Sequence, residues 1–361
     1  MLTVVVLVAV VLIIAILLII FRLTTVIGVL KGDSKKIVPL GNRFNAKLMI
    51  IFLLLGVSAI MYFSFGGLDE GFIQPLASEH GAATDKLFWW TMGITGFVFI
   101  LTQIFLFGFS WKYQFKENRK ASFYPDNDRL EMLWTVIPAI VLSILIFNGL
   151  RVWGKITGPA PENSEVIEVM GYQYSWAVRY PGVDKYLGDY DFRKIDVDNV
   201  VGIDFSDRNS LDDFFGRELK VPKGKPVHLK IRARDVIHSV YSPHFRLQMN
   251  AVPGHPTRFW FVPTKSTKEM QEETGNPDFK YELVCNKICG QGHYGMKYEI
   301  VVVDPPEYAE WYASQDPWLK KNPEYLSHVP SELKEEAFIK LGIESNYIDD
   351  PIENSLIGKS K

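Results

Sequence analysis

Four apolar stretches in the first 152 residues set the limits on what this chain can become. Residues 2–21 carry no charge, and similar stretches cover about 48–66, 87–110 and 132–152. A helix needs roughly 20 consecutive apolar residues to cross a bilayer. Each stretch is therefore expected to span as a helix, which satisfies its own amides in hydrocarbon. The first lacks the basic start, short apolar core and small-residue cleavage site of a signal peptide, and reads as a retained helix. The connections alternate in sign. The 22–47 connection holds Arg22, Lys31, Lys35, Lys36, Arg43 and Lys47 against Asp33. The 67–86 loop carries Asp69, Glu70, Glu79 and Asp85 against Lys86, and 111–129 is basic again through Lys112, Lys116, Arg119, Lys120 and Arg129. The positive-inside rule then puts both basic loops in the cytoplasm, and the amino terminus and everything after about 153 outside.

From 164 the pattern changes. Short β-branched and aromatic runs at Val166–Trp176, Val227–Ala233, Arg258–Val262 and Tyr298–Val303 are separated by Pro, Gly and Asp turns. This is the spacing of a sandwich or barrel. A chain of 361 residues accommodates one membrane region and one such soluble domain. Its 39 basic and 41 acidic residues nearly balance, which argues against nucleic acid as a partner.

The chain has two cysteines, and both lie in Cys285-Asn-Lys287-Ile-Cys289-Gly-Gln-Gly-His293-Tyr-Gly-Met296. Another histidine, His238, stands upstream in Asp235-Val-Ile-His238-Ser. Thiolate and thioether are soft donors and imidazole suits copper. Two His, one Cys and a weak Met make up the donor set of a cupredoxin electron-transfer site. The second cysteine adds a thiolate that could bridge two copper ions. On spacing alone a disulfide in an exported domain and a Cys2His2 zinc site stay open, although Met is not a usual zinc ligand. Cys-x2-Cys-His does not occur, so no covalently attached c-type haem is expected.

Cys-x3-Cys-Gly-x2-His-x2-Met, with Asp-Val-x-His-Ser upstream, resembles the CuA site of cytochrome c oxidase subunit II. A second motif, Glu131-x2-Trp134-Thr135-x2-Pro138, opens the fourth apolar stretch. Read alone it is an interfacial carboxylate beside a Trp anchor. It also resembles the second helix of that family, whose glutamate stands at the mouth of a proton pathway into subunit I. The resemblance covers roughly 87–155 and 164–315.

The resemblance implies a membrane-anchored all-β protein, with N-terminal transmembrane helices followed by a cupredoxin-like Greek-key β-barrel. Residues 1–86 would be two additional helices with their loops, and 87–155 the family's transmembrane hairpin. Residues 156–315 would be the copper domain with an acidic insertion at 183–218, and 316–361 a C-terminal extension. The cofactor implied is a pair of copper ions, the binuclear CuA centre. Cys285 and Cys289 would bridge them, His238 and His293 would cap one each, Met296 would bind weakly, and the backbone carbonyl of Lys287 would be the sixth ligand. The chain would take electrons from a c-type cytochrome and pass them to the haem–copper centre of subunit I, where oxygen becomes water. It would act only within the complex, beside subunit I and other oxidase subunits, with no catalytic residue of its own. The location implied is a bacterial inner membrane, with the copper domain on the periplasmic side. The alternative is a copper-binding chaperone or assembly protein. That class typically has proline after the second Cys and one span, where this chain has Gly290 and four.

Three positions depart from the family. Lys287 stands where relatives usually carry a glutamate that also reaches magnesium. A charged lysine cannot ligate magnesium, which puts that ion in doubt while leaving the carbonyl ligand intact. In Gly171-Tyr-Gln173-Tyr174-Ser-Trp176, Tyr174 replaces the tryptophan at which cytochrome c hands over its electron, and Trp176 is kept. A tyrosine still serves as a contact and tunnelling point, but it suggests an uncommon donor surface, such as a donor held in the complex. Otherwise the stretch reads as a strand of core aromatics. Asn250 stands in place of the usual aspartate. His80, His228, His244, His255 and His328 have no ligand-like context and are expected as surface or structural residues. The aspartates of the insertion read first as a solvated loop and second as a docking surface for a basic donor. The polar tail after 316 is a candidate to wrap a neighbouring subunit.

Overall fold

The computed structural model describes residues 2–32, 34–65, 74–116 and 118–343. The chain divides into two units. One holds the first two helices, residues 89–112 of the third and residues 128–141 of the fourth; the other holds residues 73–88 and everything from 142 on.

Helix α1 runs Leu2–Leu30, α2 Ser34–Phe65, α3 Glu79–Lys112 and α4 Asp128–Thr157, the last two each divided between the units. All four are long and apolar enough to cross a membrane. Their described side chains are mostly exposed, as expected where the surrounding solvent is lipid rather than water. The helices overrun the apolar stretches at most of their ends. Residues 22–30, expected in a connection, continue α1, and 79–86 begin α3. A helix has no reason to stop where hydrocarbon stops, because its hydrogen bonds are internal. Asn127 opens α4, its side-chain carbonyl accepting the Leu130 N–H at 3.1 Å. Glu131 follows in the first turn, where the positive end of the helix dipole favours a carboxylate. Pro138 lies inside the same helix.

The second unit is built on two five-stranded sheets. In the first the order is β3 (Phe214–Gly216), β2 (Ser175–Tyr180), β1 (Glu165–Tyr172), β5 (Val227–Ala233), β8 (Thr257–Phe261). In the second it is β4 (Leu219–Pro222), β10 (Lys297–Val303), β9 (Tyr281–Cys285), β6 (His238–Ser242), β7 (Leu247–Ala251). Pairs β1–β5 and β4–β10 are parallel, and the remaining pairs are antiparallel. Alternation along each strand sends one set of side chains inward. Val227, Leu229 and Ile231 of β5 meet Val240, Leu283, Ile300 and Val302 in one core. The expected run Val166–Trp176 is a hairpin rather than one strand. The chain reverses at Gln173-Tyr174, so Trp176 is buried while Tyr174 stays 40% exposed.

Residues on both sides of the membrane hairpin complete this barrel. Ala77 N–H donates to the His244 carbonyl (2.8 Å), Glu79 N–H to Val262 O (3.1 Å) and Thr264 N–H to Ala77 O (2.9 Å). Ser78 Oγ donates to Phe245 O at 2.7 Å, and Arg246 grips Asp85 through two nitrogens. At the end of α4, Trp260 Nε1 donates to Lys155 O (2.8 Å) and Arg258 Nε to Thr157 O (2.9 Å). These bonds satisfy carbonyls that a helix terminus leaves unpaired. Helix α5 (Pro305–Ala313) closes the barrel with Trp311 and Tyr312 against Tyr180 and Phe214.

The insertion and the tail form a second core on the outer face of β1 and β2. Val201, Ile203, Phe205 and Leu211 pack with Leu319, Tyr325, Leu326, Val329, Ala337, Phe338 and Leu341, over Met170 and Ala177. The insertion is therefore not a solvated loop, and the described part of the tail packs against it, residues 344–361 lying outside the described residues. Most of the aspartates serve internally. Asp191 and Asp207 cap turns, Asp196 accepts the Tyr325 hydroxyl, Asp204 pairs with Lys194, and Asp184 and Asp212 hold Lys340.

Beneath this cover lies a buried charge network. Arg179 donates to Glu168 (2.6 Å), Asp213 (3.0 Å) and the Gly188 carbonyl (2.9 Å), and Arg232 pairs with Glu168 as well. Burial raises the Glu168 carboxyl, but two guanidiniums outweigh it and hold it below its ordinary range. Asp213 has a share of one guanidinium, the Gly188 N–H at 3.2 Å and an oxygen with no partner, and burial outweighs them and pushes its carboxyl up to about 8. A carboxyl with a raised folded-state pKa stabilises most below its unfolded value of about 4 and loses that contribution as pH rises through its folded value. Attachment of insertion and tail is therefore expected to weaken as pH rises from about 4 to about 8 and to change little above that, read as faster proteolysis of residues 316–343. Asp213→Asn is expected to flatten that dependence.

Candidate metal centre

The donors converge at one end of the barrel because strand register puts them there. Val240 of β6 pairs with Cys285 of β9, and His238, two residues from Val240, shares its face. Cys285 N–H donates to the Met296 carbonyl at 3.1 Å, which closes the 286–295 loop at the mouth of β9 and β10. Asn286 N–H donates to Ser239 O at 3.1 Å and ties the start of that loop to β6. A 3-10 turn at His293–Gly295 then returns the chain to the site.

Cys285 Sγ lies 3.9 Å from Cys289 Sγ and 3.9 Å from His238 Nδ1. Cys289 Sγ lies 3.6 Å from His293 Nδ1 and 3.9 Å from Met296 Sδ. The Lys287 carbonyl is 3.1 Å from Cys285 Sγ, while the Lys287 side chain is exposed. Ligand atoms of His238, Cys285 and Cys289 all lie within 4.8 Å of one another. Both cysteines are free thiols, so the disulfide left open by the spacing is not formed. His238 and Met296 are fully enclosed, the two cysteines nearly so, and His293 is half-buried. Burial first, and then the neighbouring Cys285, push the Cys289 thiol up to about 11. Two sulfurs this close cannot both ionise cheaply unless a cation lies between them. A thioether and two thiolates beside two imidazoles fit copper.

A ring of polar contacts fixes this set. Asp235 Oδ1 bonds His238 Nε2 at 2.8 Å, orienting the ring so that Nδ1 faces the sulfur. Burial raises the Asp235 carboxyl, but the bonds from Gln173 N–H, His238 and Val236 N–H prevail and lower it. Gln173 Nε2 donates to the Cys289 carbonyl at 2.6 Å, and the Tyr174 hydroxyl accepts Gln291 N–H at 3.1 Å. Trp176 Nε1 reaches the Met296 carbonyl at 3.5 Å, with its ring 6.0 Å from that of His238. Tyr174 and Trp176 thus both stand against the site, one exposed and one buried. Glu131 is far along the chain in the first turn of α4 and takes no part in it. Sequence reasoning gave Gln173 and Asp235 no role of their own. Only the position of Asp235 three residues before His238 could have marked it.

Comparison with known proteins follows the same division. The family described as cytochrome C oxidase subunit II, transmembrane domain, matches residues 68–152. The periplasmic domain of the same subunit matches residues 165–303. An alternative cytochrome c oxidase subunit 2 of Bradyrhizobium diazoefficiens is 31% identical over 271 residues, covering 74% of this chain and 91% of that one. A probable cytochrome c oxidase subunit 2 of Rickettsia felis is 29% identical over 62% of this chain and 61% of its own length. Among solved structures, the periplasmic domain of subunit II of cytochrome oxidase of Bradyrhizobium japonicum is similar. It has 24% identity and a TM-score of 0.30, covering 43% of this chain and 94% of that one.

Gly290 offers a direct check on the loop. Its φ is +138°, and a Cβ there would lie 2.3 Å from the Tyr174 hydroxyl. Gly290→Ala is expected to displace Tyr174, cost roughly 1–3 kcal/mol of stability and lower the copper held per chain. Chemical denaturation and metal analysis of the purified protein would show both.

Proposed function

The chain belongs to the cytochrome c oxidase subunit II family, and on that premise we propose that it holds a binuclear copper centre at Cys285, Cys289, His238, His293, Met296 and the Lys287 carbonyl. The family's role is to accept electrons through a CuA site within a haem–copper oxidase, and oxygen is reduced in another subunit of that complex. The observation that carries the copper count is the pair of thiols 3.9 Å apart, each with an imidazole nitrogen of its own within 3.9 Å. When bound, copper supplies a one-electron couple that the protein residues lack.

The residues around the site exclude water and hold it still. His238 is pinned through Asp235, Met296 is enclosed, and Gln173 and Tyr174 clamp the Cys289–Gln291 backbone. Donors held in one arrangement before and after the electron arrives need little rearrangement. Tyr174 is the exposed group on this clamp, which supports reading it as the contact for a c-type cytochrome, with Trp176 behind it. Asn250 and the exposed Lys287 side chain leave no carboxylate at the positions where the family places one, so no step is assigned to magnesium. We take residues 1–86 as helices added before the hairpin at 87–155, followed by the copper domain over 156–315 and an extension from 316. Placement in a bacterial inner membrane with subunit I as neighbour follows from the same reading.

The full chain in detergent is expected to bind two coppers with a mixed-valence spectrum, and Cys285→Ser is expected to abolish it. One zinc per chain would refute the reading. Glu131, at the expected cytoplasmic edge of α4, is assigned to proton uptake for the complex, since ionisable groups on membrane-spanning helices are functional candidates by default. Glu131→Gln is expected to slow oxygen consumption several-fold while leaving the copper spectrum intact. An unchanged rate across a range of pH would reduce Glu131 to an interfacial anchor.

A further inference from the structure

On the outer face of β5 and β8, beside the cover formed by the insertion, a cavity of about 500 Å³ opens against the end of α4. Trp153 and Thr157 of α4, His228 and Lys230 of β5, and His255 and Arg258 line it. The register places His228 opposite Trp260 and Lys230 opposite Arg258, so the two cations sit side by side. Neither makes an ion pair among the described residues; Arg258 spends only its Nε, on the Thr157 carbonyl. The one carboxylate lining the cavity, Glu168, is already committed to Arg179 and Arg232. His228 Nε2 is buried without a partner. Positive charge at this place is therefore unbalanced, and a buried imidazole nitrogen without a partner stands beside it.

The ligand that answers these features is an anion with several acceptor oxygens. Charge-assisted bonds to a guanidinium and an ammonium are the strong ones, and the helix terminus that would repel an anion is already capped by Arg258 and Trp260. The surroundings add a second requirement. Trp153 lies at the end of a helix long and apolar enough to span a membrane, where tryptophan marks the interface. On the other side of the same helix end, Arg151 and Lys155 line a cavity of about 410 Å³ with His80. Cations thus surround the end of α4, where a spanning helix would leave the hydrocarbon.

We propose that the cavity at Lys230, Arg258 and His228 is a binding site for a phosphate group, the chemistry shared by an anionic phospholipid headgroup and free phosphate. The apolar rim and the helix end favour the lipid. This goes beyond the copper reading and does not depend on it.

The test uses the assembled oxidase containing this chain, in nanodiscs of phosphatidylcholine with or without phosphatidylglycerol. Lipid retained through detergent exchange is read by native mass spectrometry, and inorganic phosphate binding by equilibrium dialysis. Lys230→Gln is the main variant, since this side chain is exposed and makes no bond that the fold requires. Its folding is checked by circular dichroism. At about 1 kcal/mol per cation, retention of phosphatidylglycerol is expected to fall roughly 5-fold in this variant. It is expected to fall roughly 30-fold when Arg258→Gln is added. Binding of inorganic phosphate alone, lost in the same variants, also upholds the site and assigns it a soluble ligand. Phosphatidylglycerol held no better than phosphatidylcholine, with phosphate binding equal in wild type and variants, overturns the proposal.

Discussion

The register between β6 and β9 is the constraint on which the site depends. Pairing Val240 with Cys285 puts His238 and Cys285 on the same inward side of one sheet, their ligand atoms 3.9 Å apart. Side chains alternate with a period of two, so a slip of one residue would turn His238 outward and leave Cys285 against backbone. Everything else at the site tightens this pairing. The Cys285–Met296 backbone bond sets where the loop closes, and Asp235 fixes the ring that the register has delivered. The ligands gather because strands with buried faces have only one comfortable alignment.

Much of this was legible in the sequence, for reasons that differ by region. The candidate metal donors stood out because a few chemically distinctive residues stand at fixed spacing, and the structure brings the side chains of His238, Cys285, Cys289, His293 and Met296 and the Lys287 carbonyl close together. The four membrane helices were readable because lipid demands long apolar runs. Their ends were not, since a helix continues past hydrocarbon without penalty. The hairpin at Gln173-Tyr174 was hidden because the turn itself, Tyr172-Gln173-Tyr174-Ser175, carries no Gly, Pro, Asn or Asp, and Gly171 just before it is paired within the hairpin, opposite Trp176. The clamp that Gln173 and Tyr174 place on the copper loop was therefore invisible until the strand was seen to fold back.

The insertion and tail show the opposite failure. Aspartate-rich composition suggested a solvated loop, yet its apolar residues pack with partners from Leu319 onward in the tail. Neither segment has enough apolar surface to form a core alone, and no local pattern reveals that each supplies half of one. The aspartates also carried a misleading signal. Several are engaged as turn caps or as partners of Lys194, Arg179 and Lys340, which leaves less negative field on this face than their number suggests.

The bonds from residues 77–79 to the barrel bear on how the protein is made. Ser78 meets Phe245, 167 positions later in the chain, and Ala77 belongs to the barrel's own core. The ribosome therefore finishes the seal long before it finishes the strands that the seal closes. Until β7 and β8 arrive, the amide of Ala77 must wait in the loop before α3, with the carbonyls of Lys155 and Thr157 waiting likewise at the foot of α4. The barrel can reach its final form only around a hairpin already in place. A fragment begun after the last membrane helix would lack these pieces, leaving an open edge at His244, Phe245 and Val262. Insertion of the helices is thus a step in folding the soluble domain as well as in anchoring it.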